Sequence, residues 1–250
     1  MNFKKNINLN SVKKKYDNDG FVIIKSLLSK EDVNFIKNDL NNFISNDAKK
    51  LKNRDINYTK DNKVNSIHKT SNWKLINKIQ NDNNLQKISK KLLSEPPKNF
   101  GAELFAKPAK TGMPSPIHQD NFYWAIDNAN GLTFWISLDN SSKKNGGIFY
   151  FKKTHKLGLL QHKPSYAPGS SQTIKYYQGM KLFKKYTPDL KPGDCIIHHS
   201  LVVHGSQKNL SKNPRTGLTI RYIGKSSKKD KNLQKLYLSE LKTQVFSRKK

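Results

Sequence analysis

Apolar residues recur at helical spacing through the first hundred positions and at strand spacing thereafter. Residues 8–17 predict a short helix, and FVIIKSLL (21–28) a buried strand. Ser29 opens a second helix, with Glu31 and Asp32 in its first turn and Val33, Ile36, Leu40, Phe43 and Ile44 along one face. The stretch 46–66 is rich in Asn and Lys, has no clear period and reads as a loop. Helical segments follow near 71–80 and 83–94, the second stopped by Pro96-Pro97. After residue 100 the runs GAELFAKP, PIHQDNFYW, LTFWISLD, GGIFYF, SQTIKYY, DCIIHHS and TGLTIRYI each read as a strand. Tight turns fall at Asn145-Gly146-Gly147 and Lys191-Pro192-Gly193-Asp194. Helices first and many short strands later predict an α+β protein with a β-sandwich or barrel at its centre. One domain accounts for the 250 residues: a mainly helical part (1–99), a β core (100–224) and a basic tail (225–250). Within the tail, 227–244 predicts a helix packed on the outside.

Composition changes this picture little. The net charge is +29. A polyanionic partner is one reading of that excess. The other is codon bias, because Lys, Asn and Ile share AT-rich codons and all three are abundant. The lysines are spread beside asparagines rather than gathered, and no basic face is interleaved with aromatics, which favours the second reading. Nucleic acid is therefore not the expected partner, whereas a positive surface would still draw an anionic small-molecule substrate. No apolar run approaches the ~18 residues of a membrane span. The start, MNFKKNINLN, has no apolar signal core. The single cysteine, Cys195, excludes an internal disulfide and reads as a small core residue. A reducing cytoplasm fits these features.

The chemistry concentrates in three residues. His118 and Asp120 lie in PIHQDNFYW, and His204 lies 84 residues beyond Asp120 in LVVHGSQKN. On a strand, residues two apart share a face, so His118 and Asp120 are expected to project together. Two imidazoles and one carboxylate form the facial triad of non-haem Fe(II) oxygenases, although Mn, Ni or Zn would also bind such a set. An isolated H-x-D is a weak signal, and its weight here comes from the later histidine and a basic residue. Arg215 follows His204 by eleven residues and Ser206 follows it by two. A dicarboxylic 2-oxo acid chelating the metal at one end would need such a guanidinium and hydroxyl at the other. Arg221 competes with Arg215 for that role. Lys107 would add charge near the diacid, or else is simply solvated. Thr133 and Trp135 alternate with Phe134 and Ile136, so one pair faces the site. His198 and His199 point to opposite faces of their strand, and the one near the metal is expected to support it rather than to ligate. His162 and Tyr166 are loop candidates for touching substrate, while His68 and His155 read as ordinary surface histidines.

The segments GMPSPIHQDNFYW, LTFWISLDNSSKKNGGIFYF, THKLG, KPGDCIIHHS and VVHGSQKNLSKNPRTGLTIRY resemble the phytanoyl-CoA dioxygenase family of Fe(II)/2-oxoglutarate oxygenases, over about residues 100–223. The resemblance implies a double-stranded β-helix (jelly-roll, cupin-like) core with the N-terminal helices packed on one sheet. It implies metal ligation by His118, Asp120 and His204, and 2-oxoglutarate held by Arg215 and Ser206, with Trp135 lining that pocket or else packing in the core. It also implies O2 as cosubstrate, release of succinate and CO2, and hydroxylation of a C–H bond in a small molecule. Retention of Asp120 speaks against halogenation, which needs a small residue there. One departure is Lys152-Lys153-Thr154-His155, where many members resemble Pro-Gly-Ser-His; that leaves the substrate open. A metal- or ligand-binding cupin-like protein without turnover is the alternative class.

Overall fold

The computed structural model describes residues 1–52, 55–167 and 170–247. Helix α1 (Leu9–Asp19) starts where the Asn8 side chain accepts from Ser11 N. It ends at Gly20, whose φ of 82° lets the chain turn directly into strand β1 (Phe21–Ile24). The strand is half as long as FVIIKSLL allows, because Ser26 takes a positive φ and Leu27 and Leu28 are buried beyond the strand's end. Helix α2 (Lys30–Asn46) is capped by the Ser29 hydroxyl, which accepts from Asp32 N at 3.1 Å.

The polar stretch expected to be a loop contains a hairpin, β2 (Ile56–Tyr58) and β3 (Val64–Ile67). These strands have three and four residues, so Ile56 and Ile67 are their only fully buried apolar residues. That is too few to show a period; pairing with the next strand decides the structure. Helices α3 (Lys74–Gln80) and α4 (Asn83–Leu93) follow as expected. Then come β4 (Pro97–Lys107), β5 (Ser115–His118), a one-turn helix α5 (Asp120–Trp124), β6 (Gly131–Ser137) and β7 (Ile148–Phe151). The remainder is β8 (His162–Ala167), β9 (Ser170–Ile174), β10 (Lys185–Tyr186), β11 (Cys195–His199), β12 (His204–Ser206), β13 (Arg215–Gly224) and α6 (Lys231–Ser247).

The strands form a seven-stranded sheet, β1-β11-β6-β13-β4-β3-β2, a four-stranded sheet, β10-β7-β12-β5, and the separate hairpin β8-β9. All pairings are antiparallel. One face of the large sheet, including Leu104, Phe134, Ile136, Ile197 and Ile220, packs on Ile36, Leu40, Ile76 and Leu85 of the helices. The opposite face contributes Trp135 and Ile196 to a second cluster with Ile148 and Tyr150 of the small sheet. Cys195 is fully buried in the first cluster. The alternation of β6 is thus settled: Phe134 and Ile136 face the helices, and Thr133 and Trp135 face the space between the sheets. Helix α6 lies on the outside, with most of its described residues exposed, and only its inner edge reaches the cavity. Tyr237 packs on Phe122 and Tyr123 at 6.2 and 5.5 Å, so the helix borders the cavity between the sheets.

Candidate active site

His204 on β12 pairs directly with His118 on β5, which sets the two imidazoles side by side with ring centroids 4.4 Å apart. Asp120 reaches them by another route than the shared strand face expected from spacing. Strand β5 ends at His118, and Asp120 is the first residue of α5. The intervening Gln119 forces the change. Its side chain turns the opposite way and is fully buried, donating to Gly158 O and Leu201 O at 2.9 and 2.7 Å while accepting from Leu160 N at 2.7 Å. Asp120 Oδ1 then lies 3.7 Å from both His118 Nε2 and His204 Nε2.

The hydrogen bonds around these three residues leave one lone pair of each aimed at a common point. His118 Nδ1 donates to Pro116 O at 2.8 Å and His204 Nδ1 to Val202 O at 3.0 Å, so each Nε2 is left unprotonated. Asp120 Oδ2 accepts from Thr133 Oγ1 at 2.9 Å and from His198 Nε2 at 3.1 Å, which leaves Oδ1 free. His198 is oriented in turn by Tyr150, whose hydroxyl lies 3.0 Å from Nδ1. Burial pushes the Asp120 carboxyl up, but the surrounding histidines, His204 foremost, outweigh it and hold it well below the usual range. Burial and the neighbouring His118 push the His204 imidazole well below its ordinary value, so it is neutral near pH 7. One carboxylate oxygen and two imidazole nitrogens, all within 4.8 Å of one another, are a donor set that a divalent cation completes.

Ser206, Arg215, Trp135 and Thr133 line the same cavity, which has a volume of about 850 Å³. Arg215 is 2 % exposed, yet no described carboxylate lies within 4 Å of it. Its Nη2 donates to Gly146 O at 2.8 Å, its Nε has no acceptor, and the guanidinium lies 5.3 Å from the Trp135 ring. Burial lowers its pKa to about 9, so it stays charged at neutral pH. A buried cation without a counter-ion is costly, and a bound carboxylate would supply the missing charge. The Asn-Gly-Gly turn positions that arginine. Asn145 ties the turn to Ser142 and Asn140, and Gly146, with φ of 74°, presents the carbonyl.

Lys107 is neither solvated nor on the cavity wall. It is 3 % exposed, donates to Gln207 O at 2.5 Å, and burial lowers its pKa to about 5. His162 and Tyr166 do not line the cavity either. The His162 ring stacks on Phe122 at 4.2 Å and accepts from Gln119 N at 3.1 Å, so it braces the β5–α5 turn, while Tyr166 is 54 % exposed on the hairpin. His155 is held by Asp17 O at 3.0 Å, and His199 faces away from His118, Asp120 and His204 toward Tyr16 and His155. His68 is no surface residue but part of the cavity wall, together with Glu103 and Arg221. Single-residue reasoning missed Glu103, Tyr150, Gln119 and Tyr237. Only the alternation of β4 and β7 hinted at the first two.

Antiparallel sheets enclosing a two-histidine, one-carboxylate centre beside an unpaired arginine define a non-haem metalloenzyme class. The chain belongs to the phytanoyl-CoA dioxygenase family, whose model matches residues 16–217. It is similar to a probable phytanoyl-CoA dioxygenase of Caenorhabditis elegans, 26% identical over 144 residues, which are 56% of this chain and 43% of that protein. It is also similar to the peroxisomal phytanoyl-CoA dioxygenase of Bos taurus, 24% identical over 84% of this chain and 67% of that protein. Among solved structures, EctD from S. alaskensis with bound Fe superposes with a TM-score of 0.74 at 19% identity, covering 88% of this chain and 78% of that one. The same protein has been solved with 2-oxoglutarate and 5-hydroxyectoine. No helix among the described residues is long and apolar enough to cross a membrane.

Proposed function

We propose that this chain is a non-haem Fe(II)- and 2-oxoglutarate-dependent dioxygenase that hydroxylates a C–H bond of a small molecule, with release of succinate and CO2. The carrying observation is the convergence of His118, Asp120 and His204 beside Arg215, a buried guanidinium lacking a counter-ion. In this reading the two sheets are a double-stranded β-helix, the whole chain acts as one domain, and the reducing cytoplasm is its setting.

Iron with 2-oxoglutarate and O2 supplies the oxidising chemistry when bound. The protein's part is geometric. His118 Nε2, His204 Nε2 and Asp120 Oδ1 are the metal ligands. Thr133 and His198 hold the Asp120 carboxylate so that one oxygen stays turned toward the metal. Arg215 and Ser206 take the distal carboxylate of 2-oxoglutarate, and Trp135 forms the floor beneath the guanidinium. Tyr237 and Leu241 of α6 cover the substrate side and restrict water.

Anaerobic addition of Fe(II) and 2-oxoglutarate is expected to give a weak visible charge-transfer band, which Asp120→Ala abolishes along with turnover. Metal binding with no such band and no O2 consumption in the presence of 2-oxoglutarate would overturn the enzyme reading in favour of a binding protein.

A further inference from the structure

Away from the metal ligands, the cavity wall carries an ion pair whose hydrogen-bonding capacity is unspent. Arg221 on β13 sits beside Glu103 on β4, with Nη1 3.1 Å from Oε1. His68 Nδ1 meets the same oxygen at 3.2 Å. Glu103 Oε2 takes no hydrogen bond from the described residues, and Arg221 Nε is buried without an acceptor. Both side chains remain open to the cavity, at 18% and 17% exposure. Burial pushes the Glu103 carboxyl up, but Arg221 and His68 more than offset this and keep it ionised at neutral pH.

Next to the pair stand two apolar rings. Trp124 lies 6.0 Å from the Arg221 guanidinium, and Phe100 packs on Trp124 at 5.3 Å. Lys229, the other cation on this wall, is already engaged by Trp124 O at 2.5 Å. Glu103 faces Arg221 on this wall and Trp124 O engages Lys229, so neither cation stands without a partner. This is not the cation surplus that the anionic substrate expected from the overall charge would select.

We propose that Glu103 and Arg221 select a small zwitterion whose protonated nitrogen and acid group are close together, as in an α-amino acid, with an apolar body lying on Trp124 and Phe100. A zwitterion laid against an ion pair head to tail gives four alternating charges. Each charge then gains a second partner, and no net charge is buried. A ligand with only one charge leaves either the Glu103 carboxylate or the Arg221 guanidinium without a second partner. The proposal rests on reading this cavity as the oxygenase active site.

The test is a calorimetric titration with three probes of one shape: phenylalanine, phenethylamine, which lacks the carboxylate, and 3-phenylpropionate, which lacks the amine. It is run anaerobically on protein loaded with Fe(II) and 2-oxoglutarate, and repeated without either. Phenylalanine is expected to bind about 10-fold or more tighter than both single-charge probes, a difference of about 1.4 kcal/mol. Glu103→Gln should reduce it to the level of 3-phenylpropionate, and Arg221→Met to that of phenethylamine. If either single-charge probe matches phenylalanine on the wild-type protein, the proposal is overturned whether or not the variants fold. Failure of the oxygenase reading shows separately, as a loaded sample without a visible band whose probe ranking can still be measured.

Discussion

Individual side chains here are held by partners that the chain brings from far away. His198 lies 78 positions from Asp120 and fixes one of its carboxylate oxygens, with Tyr150 behind it. His198→Phe keeps the ring volume but removes that bond. Iron affinity, followed by anaerobic spectrophotometric titration, should fall by about 10–100-fold, the usual cost of losing an outer partner of a metal ligand. Arg215→Met should weaken 2-oxoglutarate binding by a similar factor, since a hydrogen bond to a charged group contributes about 1.5–3 kcal/mol. It should leave iron affinity nearly unchanged, and a larger effect from Arg221→Met would move the role to that residue. Lys107 gives a pH signature. Its pKa of about 5 in the folded chain lies far below the unfolded value of about 10.4. Between those values the unfolded chain binds the extra proton, so this group destabilises the fold at low pH and the penalty fades as pH rises. Lys107→Met should therefore flatten the stability-against-pH curve of the ligand-free protein between about pH 6 and 9, read from denaturant midpoints. An unchanged slope would mean that the amine keeps its proton.

At the scale of elements, short pieces were the hardest to read from sequence. The amphipathic helices α2 and α4 were legible because eleven or more residues repeat one period against a sheet. The hairpin β2-β3 was not, because so few of its positions face the core. The strand written through PIHQDNFYW was wrong beyond His118, where the buried Gln119 side chain and the His162 ring turn the backbone into α5. His118 and Asp120 do come together, but for a different geometric reason than the one spacing offers. The Asn-Gly-Gly turn was legible as a turn, but its purpose was not. A Cβ on Gly146 would stand 2.6 Å from Gln207 O, and the φ of 74° already disfavours one. Gly146→Ala should cost about 1–3 kcal/mol in denaturant unfolding. It should also weaken 2-oxoglutarate binding, because the carbonyl that holds Arg215 must shift.

For the whole molecule, the +29 charge acts on every element at once. Self-repulsion on this scale is screened as ionic strength rises. Thermal midpoints should therefore increase between about 20 and 200 mM NaCl, and a fall would show that specific surface pairs such as Lys37–Asp139 dominate instead. The run of strands after residue 100, the long amphipathic helices and the candidacy of His118, Asp120 and His204 follow from residue type, period and motif, which are local properties of the chain. Which oxygen of Asp120 faces His118 and His204, which arginine lacks a counter-ion among the described residues, and which histidines stand outside that cluster were decided only by strand pairing and burial. Those depend on contacts between residues tens of positions apart, and no local pattern carries that information.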